Sequence, residues 1–249
     1  MLKHGILYYL VKDSESETPT WWNPSWTCRK EITIDHTKVS ADLTNFPVLI
    51  SRASDADLTA AQATGQDIVF IRFADNITQL NHEIEYFNQA TGQLTTWVNI
   101  PTLSATTDTK LWMYYGNPTS GNQQHVEATW DANFLAVHHL EETTGTIYDS
   151  TSHNNDGTPY GTLNQNMVGK IDGADYFDGI DDRILLPSVY TTETQFTMET
   201  WVYAETGARH FLSQRSNSSQ GVFIQILDNN YLQYYIDGIS HISSIPQNT

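Results

Sequence analysis

The chain has 249 residues, enough for two domains of ordinary size and for a core that needs no disulfide. Its formal net charge is −17, with only 12 Lys and Arg residues. Such a surface repels phosphate backbones and anionic lipids, so nucleic acid is excluded as a partner. The sequence also lacks a run of about 18 apolar residues, so no transmembrane segment is expected.

The first half of the chain has the alternating pattern of antiparallel strands. Residues 1–20 are interpreted as an N-terminal arm or linker. After Trp21, apolar and polar residues alternate in short runs between turn signals, which is typical of a sandwich. One short helix is predicted at residues 58–63, capped by Asp55 or Asp57 and closed by Gly65. The predicted strands are 28–35, 46–50, 67–73, 80–87, 94–100 and 110–115.

A Gly-Asn-Pro-Thr-Ser-Gly stretch at residues 116–121 predicts a domain boundary. The strands predicted beyond it are 134–140, 175–177, 183–186, 196–203, 222–227 and 231–236, with a hairpin turn at 228–230. The sequence therefore predicts an all-β protein of two tandem antiparallel β-sandwiches. Their expected extents are residues 21–120 and 128–249.

Four landmarks in the second half carry a resemblance to a known fold. They are His138 with Leu140, Glu141 and Glu142, the Asp/Asn-rich stretch 148–157, the Gly-rich stretch 169–179, and residues 196–202. In this order they resemble a laminin-G-like domain of the concanavalin A-like superfamily, which implies a jelly roll. A further strand of that family would begin about where the sequence ends. We therefore expect an incomplete jelly roll and a longer natural polypeptide.

The first half resembles a domain-of-unknown-function family of microbial surface and envelope proteins. The resemblance spans residues 21–117 and implies an extracellular, cell-surface or periplasmic location. Its matching pieces are Trp21-Trp22, Trp26, Arg29-Lys30, residues 46–50, residues 82–85, Trp97-Val98, Ile100-Pro101 and residues 114–117.

Glu83 and Glu85 are the candidate catalytic pair. On one strand their side chains point to the same face, about 6.5–7 Å apart, which is within the range that glycoside hydrolysis uses. A third acid expected of jelly-roll glucanases is replaced by Asn88. The favoured interpretation is a solvent-facing pair of charges, and no catalytic residues are assigned. His138 and His139 beside Glu141 and Glu142 are likewise expected to point in alternate directions.

Two polar loops are the candidate metal sites. Asp149 and Asn155 lie in the first loop and Asp178 and Asp181 in the second. Carboxylate and amide oxygens are the ligands that Ca²⁺ prefers, and many laminin-G-like domains bind Ca²⁺ at a rim. If the loops meet, they form a calcium site; the alternative is that these residues only make turns.

Trp21 and Trp22 are the candidate ligand-binding residues, because sugar-binding sandwiches stack aromatic rings on pyranose faces. The leading functional hypothesis is a non-catalytic binding or adhesion module that recognises carbohydrate or another cell-surface ligand, with Ca²⁺ as a possible cofactor. The alternatives are a glycoside-active enzyme that uses Glu83 and Glu85, and a structural spacer in a large envelope protein.

Overall fold

A computed structural model describes residues 21–187, 195–203, 209–217, 220–227, 231–236 and 239–244. Nearly all of their regular structure is β, as the sequence predicts. The strands are β1 (Cys28–Ile34), β2 (Leu43–Arg52), β3 (Val69–Arg72), β4 (Gln79–Leu80), β5 (His82–Asn88), β6 (Gln93–Leu103), β7 (Thr109–Tyr115), β8 (Thr158–Tyr160), β9 (Asn164–Val168), β10 (Gly173–Tyr176), β11 (Arg183–Leu185), β12 (Arg209–Asn217), β13 (Gln220–Ile226), β14 (Tyr231–Ile236) and β15 (Ile239–Ser244). One short α-helix, α1 (Val126–Thr129), and two 3₁₀ turns, His36–Lys38 and Ala56–Ala60, complete the elements.

The first seven strands form two antiparallel sheets. The first sheet has the order β1-β7-β3-β4, and the second has the order β2-β6-β5. Alternate residues of both sheets meet in one apolar cluster between them, because successive side chains of a strand point to opposite faces. The fully buried members of that cluster include Ile32, Ile34, Leu58, Ile68, Phe70, Leu94, Val98 and Met113. The predicted first sandwich is therefore present.

Asp67 ties the chain before β3 to the chain after β7 at one end of the first sheet. Its side chain is completely buried and accepts hydrogen bonds from the backbone N–H groups of Gln62, Gly116 and Asn117 at 2.7–2.8 Å. Because a buried carboxylate is costly unless it is hydrogen-bonded, these donors make the charge tolerable. They also hold the turn after β7 against the loop before β3.

The second sheet is covered on its outer face by the chain that follows β7. The N–H of His125 bonds to the carbonyl of His82 at 3.0 Å, and the side chain of Asn99 donates to the carbonyl of Thr129 at 3.0 Å. Trp130 packs against Trp97 with ring centroids 5.3 Å apart. This sheet is consequently buried on both faces, and it can hold polar side chains away from water.

The described chain divides into two compact units. Residues 21–158 and 164–176 belong to the first, which includes the hairpin of β9 and β10. The second contains Pro159–Leu163 and the described residues from Phe177 onward, with β8 beside β11 and a meander in the order β12-β13-β14-β15. The domains predicted at 21–120 and 128–249 stay a prediction. None of the described helices is long and apolar enough to cross a membrane.

Two predicted strands are wrong. Residues 134–140 form no strand, because Leu140 adopts the left-handed conformation with φ of 59° and the alternation breaks there. Residues 196–203 form none either, and Trp201 and Tyr203 are 59% and 90% exposed, so no buried face selects a period of two. The predicted helix is a single 3₁₀ turn capped by Asp55. The predicted turn at 228–230 lies outside the described residues.

Candidate functional site

Glu83 and Glu85 lie on β5 and point to the outer face of the second sheet. The pairing of β5 with β6 shifts register between Ile84 and Tyr86, which places a β-bulge at Glu85. Bulges re-aim side chains and are frequent beside functional sites. Both glutamates are only 7% exposed. The interpretation of a solvent-facing pair is therefore wrong, because the chain after β7 covers this face.

His139 lies between the two carboxylates. Its Nε2 is 3.2 Å from Oε2 of Glu83, and its Nδ1 is 3.2 Å from Oε2 of Glu85. The contact at Nε2 is an ion pair without hydrogen-bond geometry. Burial by itself lowers the pKa of His139, but the two glutamates outweigh it and raise that pKa to about 10. The imidazole is thus a buried cation at neutral pH.

Other donors fix both carboxylates. Trp130 Nε1 donates to Glu83 Oε2 at 2.7 Å, Ser150 Oγ donates to Glu83 Oε1 at 2.6 Å, and Trp97 Nε1 donates to Glu85 Oε2 at 2.7 Å. The indole rings of Trp97 and Trp130 also flank the imidazole, with centroids 6.4 and 6.0 Å away. We call Glu83, Glu85 and His139 the buried charge triad.

A half-open cleft of about 320 Å³ lies over the buried charge triad. Its walls come from β5, α1 and the loop 139–150, all in the first unit. The lining residues are Glu83, Val126, His139, Glu141, Glu142, Tyr148, Asp149 and Ser150.

The left-handed residue Leu140 lets His139, Glu141 and Glu142 all line this cleft. The expectation that these neighbours point in alternate directions is wrong, because it assumed an extended strand. A left-handed leucine is strained, and such strain is found where the surrounding structure holds a particular side-chain arrangement. His138 points elsewhere, with Nε2 3.1 Å from the carbonyl of Asn155.

Several carboxyl groups beside the cleft have raised pKa values. Partial burial, with added repulsion from Asp172, Glu85 and Glu142, raises the pKa of Glu141 to about 7, although His139 opposes the shift. Burial and the charge of Glu85 raise the pKa of Asp172. Carboxyl groups with perturbed pKa values in a cleft are typical of functional sites.

Gly173 lets β10 pack closely against the loop 139–150 that lines the cleft. A Cβ atom at Gly173 would lie 2.2 Å from the carbonyl oxygen of Leu140, so only glycine permits this approach. The close packing places Asp172 and Asp175 near the glutamates of the loop. Burial, with repulsion from Glu142, raises the pKa of Asp175 to about 6.

Asp149, one of the predicted metal ligands, organises its own loop. Its oxygens accept hydrogen bonds from the N–H groups of Val137, Thr151 and Asn155 at 2.8–2.9 Å and from the hydroxyl of Thr151 at 2.8 Å. Although burial opposes it, these donors hold the pKa of Asp149 below its usual value. The side-chain amide of Asn155 donates to Leu135. This set of donors fits a structural loop better than a cation.

Asp178 and Asp181, the other predicted metal ligands, lie in the second unit. Together with Asp182 they offer carboxylate oxygens within 4.8 Å of one another. Asp182 already accepts from the N–H groups of Thr162 and Asp178 at 2.7 and 2.9 Å.

Trp21 and Trp22 lie on the outer face of the first sheet. Trp21 is 39% exposed and donates from Nε1 to the carbonyl of Trp26 at 2.7 Å. Trp22 is half-buried, and its ring packs 5.0 Å from that of Trp26. The guanidinium of Arg29 lies 4.7 Å from the ring centroid of Trp21. Both tryptophans therefore pack against the first sheet with part of their rings, and only the exposed part of each ring could contact a ligand.

None of the sites predicted from the sequence contains His139, Trp130, Ser150 or Tyr148. A usable signal was present for His139, because a histidine within a stretch of acids is a natural counter-ion for two carboxylates on a buried face. Trp130, Ser150 and Tyr148 had no local signal, since only the folding-back of the loop brings them to β5.

Comparison with known protein families gives one match. Residues 64–157 match the family described as Domain of unknown function (DUF2341). The match supports the predicted resemblance to a domain-of-unknown-function family, and it contains every residue that lines the cleft. Two of the four laminin-G-like landmarks also fall inside it, and that resemblance stays a prediction. The comparisons with curated proteins and with solved structures give no match.

Proposed function

We propose that the protein is a non-catalytic binding module, acting outside the cytoplasm or at the cell surface, that recognises carbohydrate through the cleft over the buried charge triad. The observation that carries the proposal is the cleft itself. It combines a 63% exposed ring, Tyr148, with carboxylates on a rigid floor. Small-ligand sites have this character: an aromatic surface with a few fixed polar groups.

The rigid floor supports binding because a preorganised site loses less entropy when the ligand is ordered. Glu83 accepts from both Trp130 and Ser150, and the ion pairs to His139 fix the loop that carries Glu141 and Glu142. Sugar hydroxyl groups are good donors to carboxylates, and a tyrosine ring offers a face to a pyranose.

A glycan array probed with the full chain tests the proposal. We expect binding to a restricted set of glycans, and Tyr148→Ala should weaken it by about twofold to tenfold, the loss that corresponds to a stacking energy of about 0.5–1.5 kcal/mol. Trp21→Ala is the matched control, because Trp21 is a partly exposed ring on the other sheet. Weakening by Trp21→Ala and not by Tyr148→Ala would move the site to the predicted tryptophan pair. No binding to any glycan would contradict the proposal.

An enzymatic role is the second candidate, and the pKa of Glu141 favours it. A carboxyl group with a pKa of about 7 is suited to act as the general acid of glycoside hydrolysis. Glu83 and Glu85 are less suited, since their oxygens already accept hydrogen bonds from indole and hydroxyl donors. Release of reducing sugar that Glu141→Gln abolishes would establish this role.

Calcium is proposed as a separate ligand of the second unit. Asp178, Asp181 and Asp182 supply the hard oxygen ligands, and Asp149 is not among them. We expect the melting temperature to rise with Ca²⁺ and Asp181→Asn to remove that rise. An unchanged melting temperature in saturating Ca²⁺ would contradict the calcium proposal.

A further inference from the structure

The cleft carries more negative than positive charge. Glu83, Glu141, Glu142 and Asp149 contribute carboxylates, whereas His139 is the single cationic side chain among the described residues that line it. The charge of His139 is already shared between the glutamates of β5. The backbone donors around Asp149 satisfy that carboxylate. Glu141 and Glu142 are therefore the uncompensated acids of the cleft.

One carboxylate oxygen at the cleft is shielded from water and has no hydrogen-bond partner. Glu142 is held by the N–H of Tyr148, which donates to Oε1 at 2.8 Å, but its Oε2 is buried and accepts no bond. An unsatisfied buried acceptor in the cleft indicates a ligand that supplies a hydrogen-bond donor.

The carboxylates that line the cleft are spread around it and do not converge on one point. Among the described residues, groups of three metal-ligating side chains converge only at Asp178, Asp181 and Asp182 and around His36, and neither group lies in the cleft. A metal ion needs oxygens that converge within bonding distance. A cleft of about 320 Å³ with dispersed carboxylates instead fits an organic cation.

We infer that the ligand of the cleft is an amino sugar, whose protonated amine is held by Glu141 and Glu142 and whose ring lies against Tyr148. An ammonium group supplies three donors for carboxylate oxygens, and the sugar hydroxyl groups supply acceptors as well as donors. The attraction of a cation to the face of an aromatic ring adds to this. The inference rests on the proposed function, since it names the class of sugar that the same cleft binds.

The raised pKa of Glu141 gives this binding a pH dependence. The groups that face Glu141 are His139, Glu142 and Glu85 on the loop and β5, and Asp172 before β10. As Glu141 ionises through a pH of about 7, the cleft gains negative charge. A bound cation lowers the pKa of Glu141, because it favours the ionised carboxylate. The cation therefore binds more tightly at a pH at which Glu141 is already ionised.

The test is calorimetric titration of the full chain with a glucosamine tetramer and, separately, with an N-acetylglucosamine tetramer, which lacks the charged amine. At about pH 6.5 the free amine is protonated. We expect the glucosamine tetramer to bind about tenfold or more tightly than its acetylated form. Glu142→Gln should abolish that preference. Glu127→Gln, which removes an exposed acid from α1 with the same change of charge, should leave it intact.

The outcomes separate this inference from the proposed function. Equal affinity for the two tetramers overturns the amino-sugar inference and leaves carbohydrate binding in place. If neither tetramer binds but other, neutral glycans do, the amino-sugar inference is also overturned and carbohydrate binding stays in place. Equal or tighter binding of spermine overturns the sugar part, because it shows that the cleft selects charge alone. Unchanged melting temperatures of both variants verify that lost preference is not lost folding.

Discussion

Replacing His139 by glutamine removes the cation between Glu83 and Glu85 and leaves two buried carboxylates without a counter-charge. Removing one member of a buried ion pair costs about 3–5 kcal/mol. The pKa of His139 gives a consistent figure: a rise from 6.5 to about 10, at about 1.4 kcal/mol per pH unit, corresponds to about 5 kcal/mol. We expect the free energy of unfolding to fall by about 3–5 kcal/mol near pH 6.

The sign of the pH dependence follows from the raised pKa. The stabilisation by His139 is complete below the unfolded value of 6.5 and is lost as the pH rises through about 10. The difference between the wild type and His139→Gln should therefore be largest near pH 6 and should shrink toward about pH 10. Urea unfolding followed by tryptophan fluorescence measures it, since Trp97 and Trp130 both flank the imidazole.

His36→Gln is the matched control. His36 also contacts a carboxylate, at 2.7 Å from Asp108, but both side chains are more than a third exposed. Exposed ion pairs contribute about 0–1 kcal/mol, so this variant should unfold almost as the wild type does. A cost of less than about 1 kcal/mol for His139→Gln, or an equal cost at about pH 6 and about pH 10, would show that the charged imidazole does not stabilise the fold.

Three further variants test the fold around the site. Burial lowers the pKa of His82 to about 4, so the folded protein keeps this histidine neutral. The free energy of unfolding should therefore be highest above pH 6.5 and decline by up to about 3 kcal/mol toward pH 4. His82→Phe should flatten that decline, measured as urea midpoints at each pH, and an unchanged decline would contradict the prediction. Gly173→Ala brings a Cβ against the carbonyl of Leu140 and should lower the free energy of unfolding by about 1–3 kcal/mol in thermal unfolding. The control Gly121→Ala has open space around it and should lower that free energy by well under about 1 kcal/mol. Equal losses would argue against close packing at β10. Asp67→Asn weakens the acceptor of three backbone N–H groups and should cost about 2 kcal/mol or more, and a neutral effect on the urea midpoint would show that the charge is not needed.

The alternating pattern was sufficient to predict the first sandwich. Ile32 and Ile34 share one face of residues 28–35, residues 110–115 carry apolar side chains at every second position, and both runs are strands within one residue of the predicted ends. Local chemistry also fixed the Asp55 cap, because a side-chain acceptor at that position bonds to the N–H of Asp57 whatever the rest of the fold does. Each of these depends on interactions between near neighbours.

The buried charge triad could not be predicted in the same way. The spacing of Glu83 and Glu85 showed that they share a face, but a period of two does not say whether that face meets water or another layer of chain. The deciding contacts join residues more than fifty positions apart, from β5 to His139 and Ser150. The left-handed Leu140 also interrupts the extended backbone on which the prediction of alternating directions for His138, His139 and their acidic neighbours depended.

The strands of the first half and the acidity of the surface could therefore be predicted from the amino-acid order, because periodicity and charge are properties of the chain alone. That the outer face of the second sheet is covered follows from tertiary packing, which buries Glu83 and Glu85 and places Glu83 in the wall of a cleft. The physical reason is desolvation. A carboxylate needs specific donors only when water is excluded, and exclusion depends on how distant segments pack.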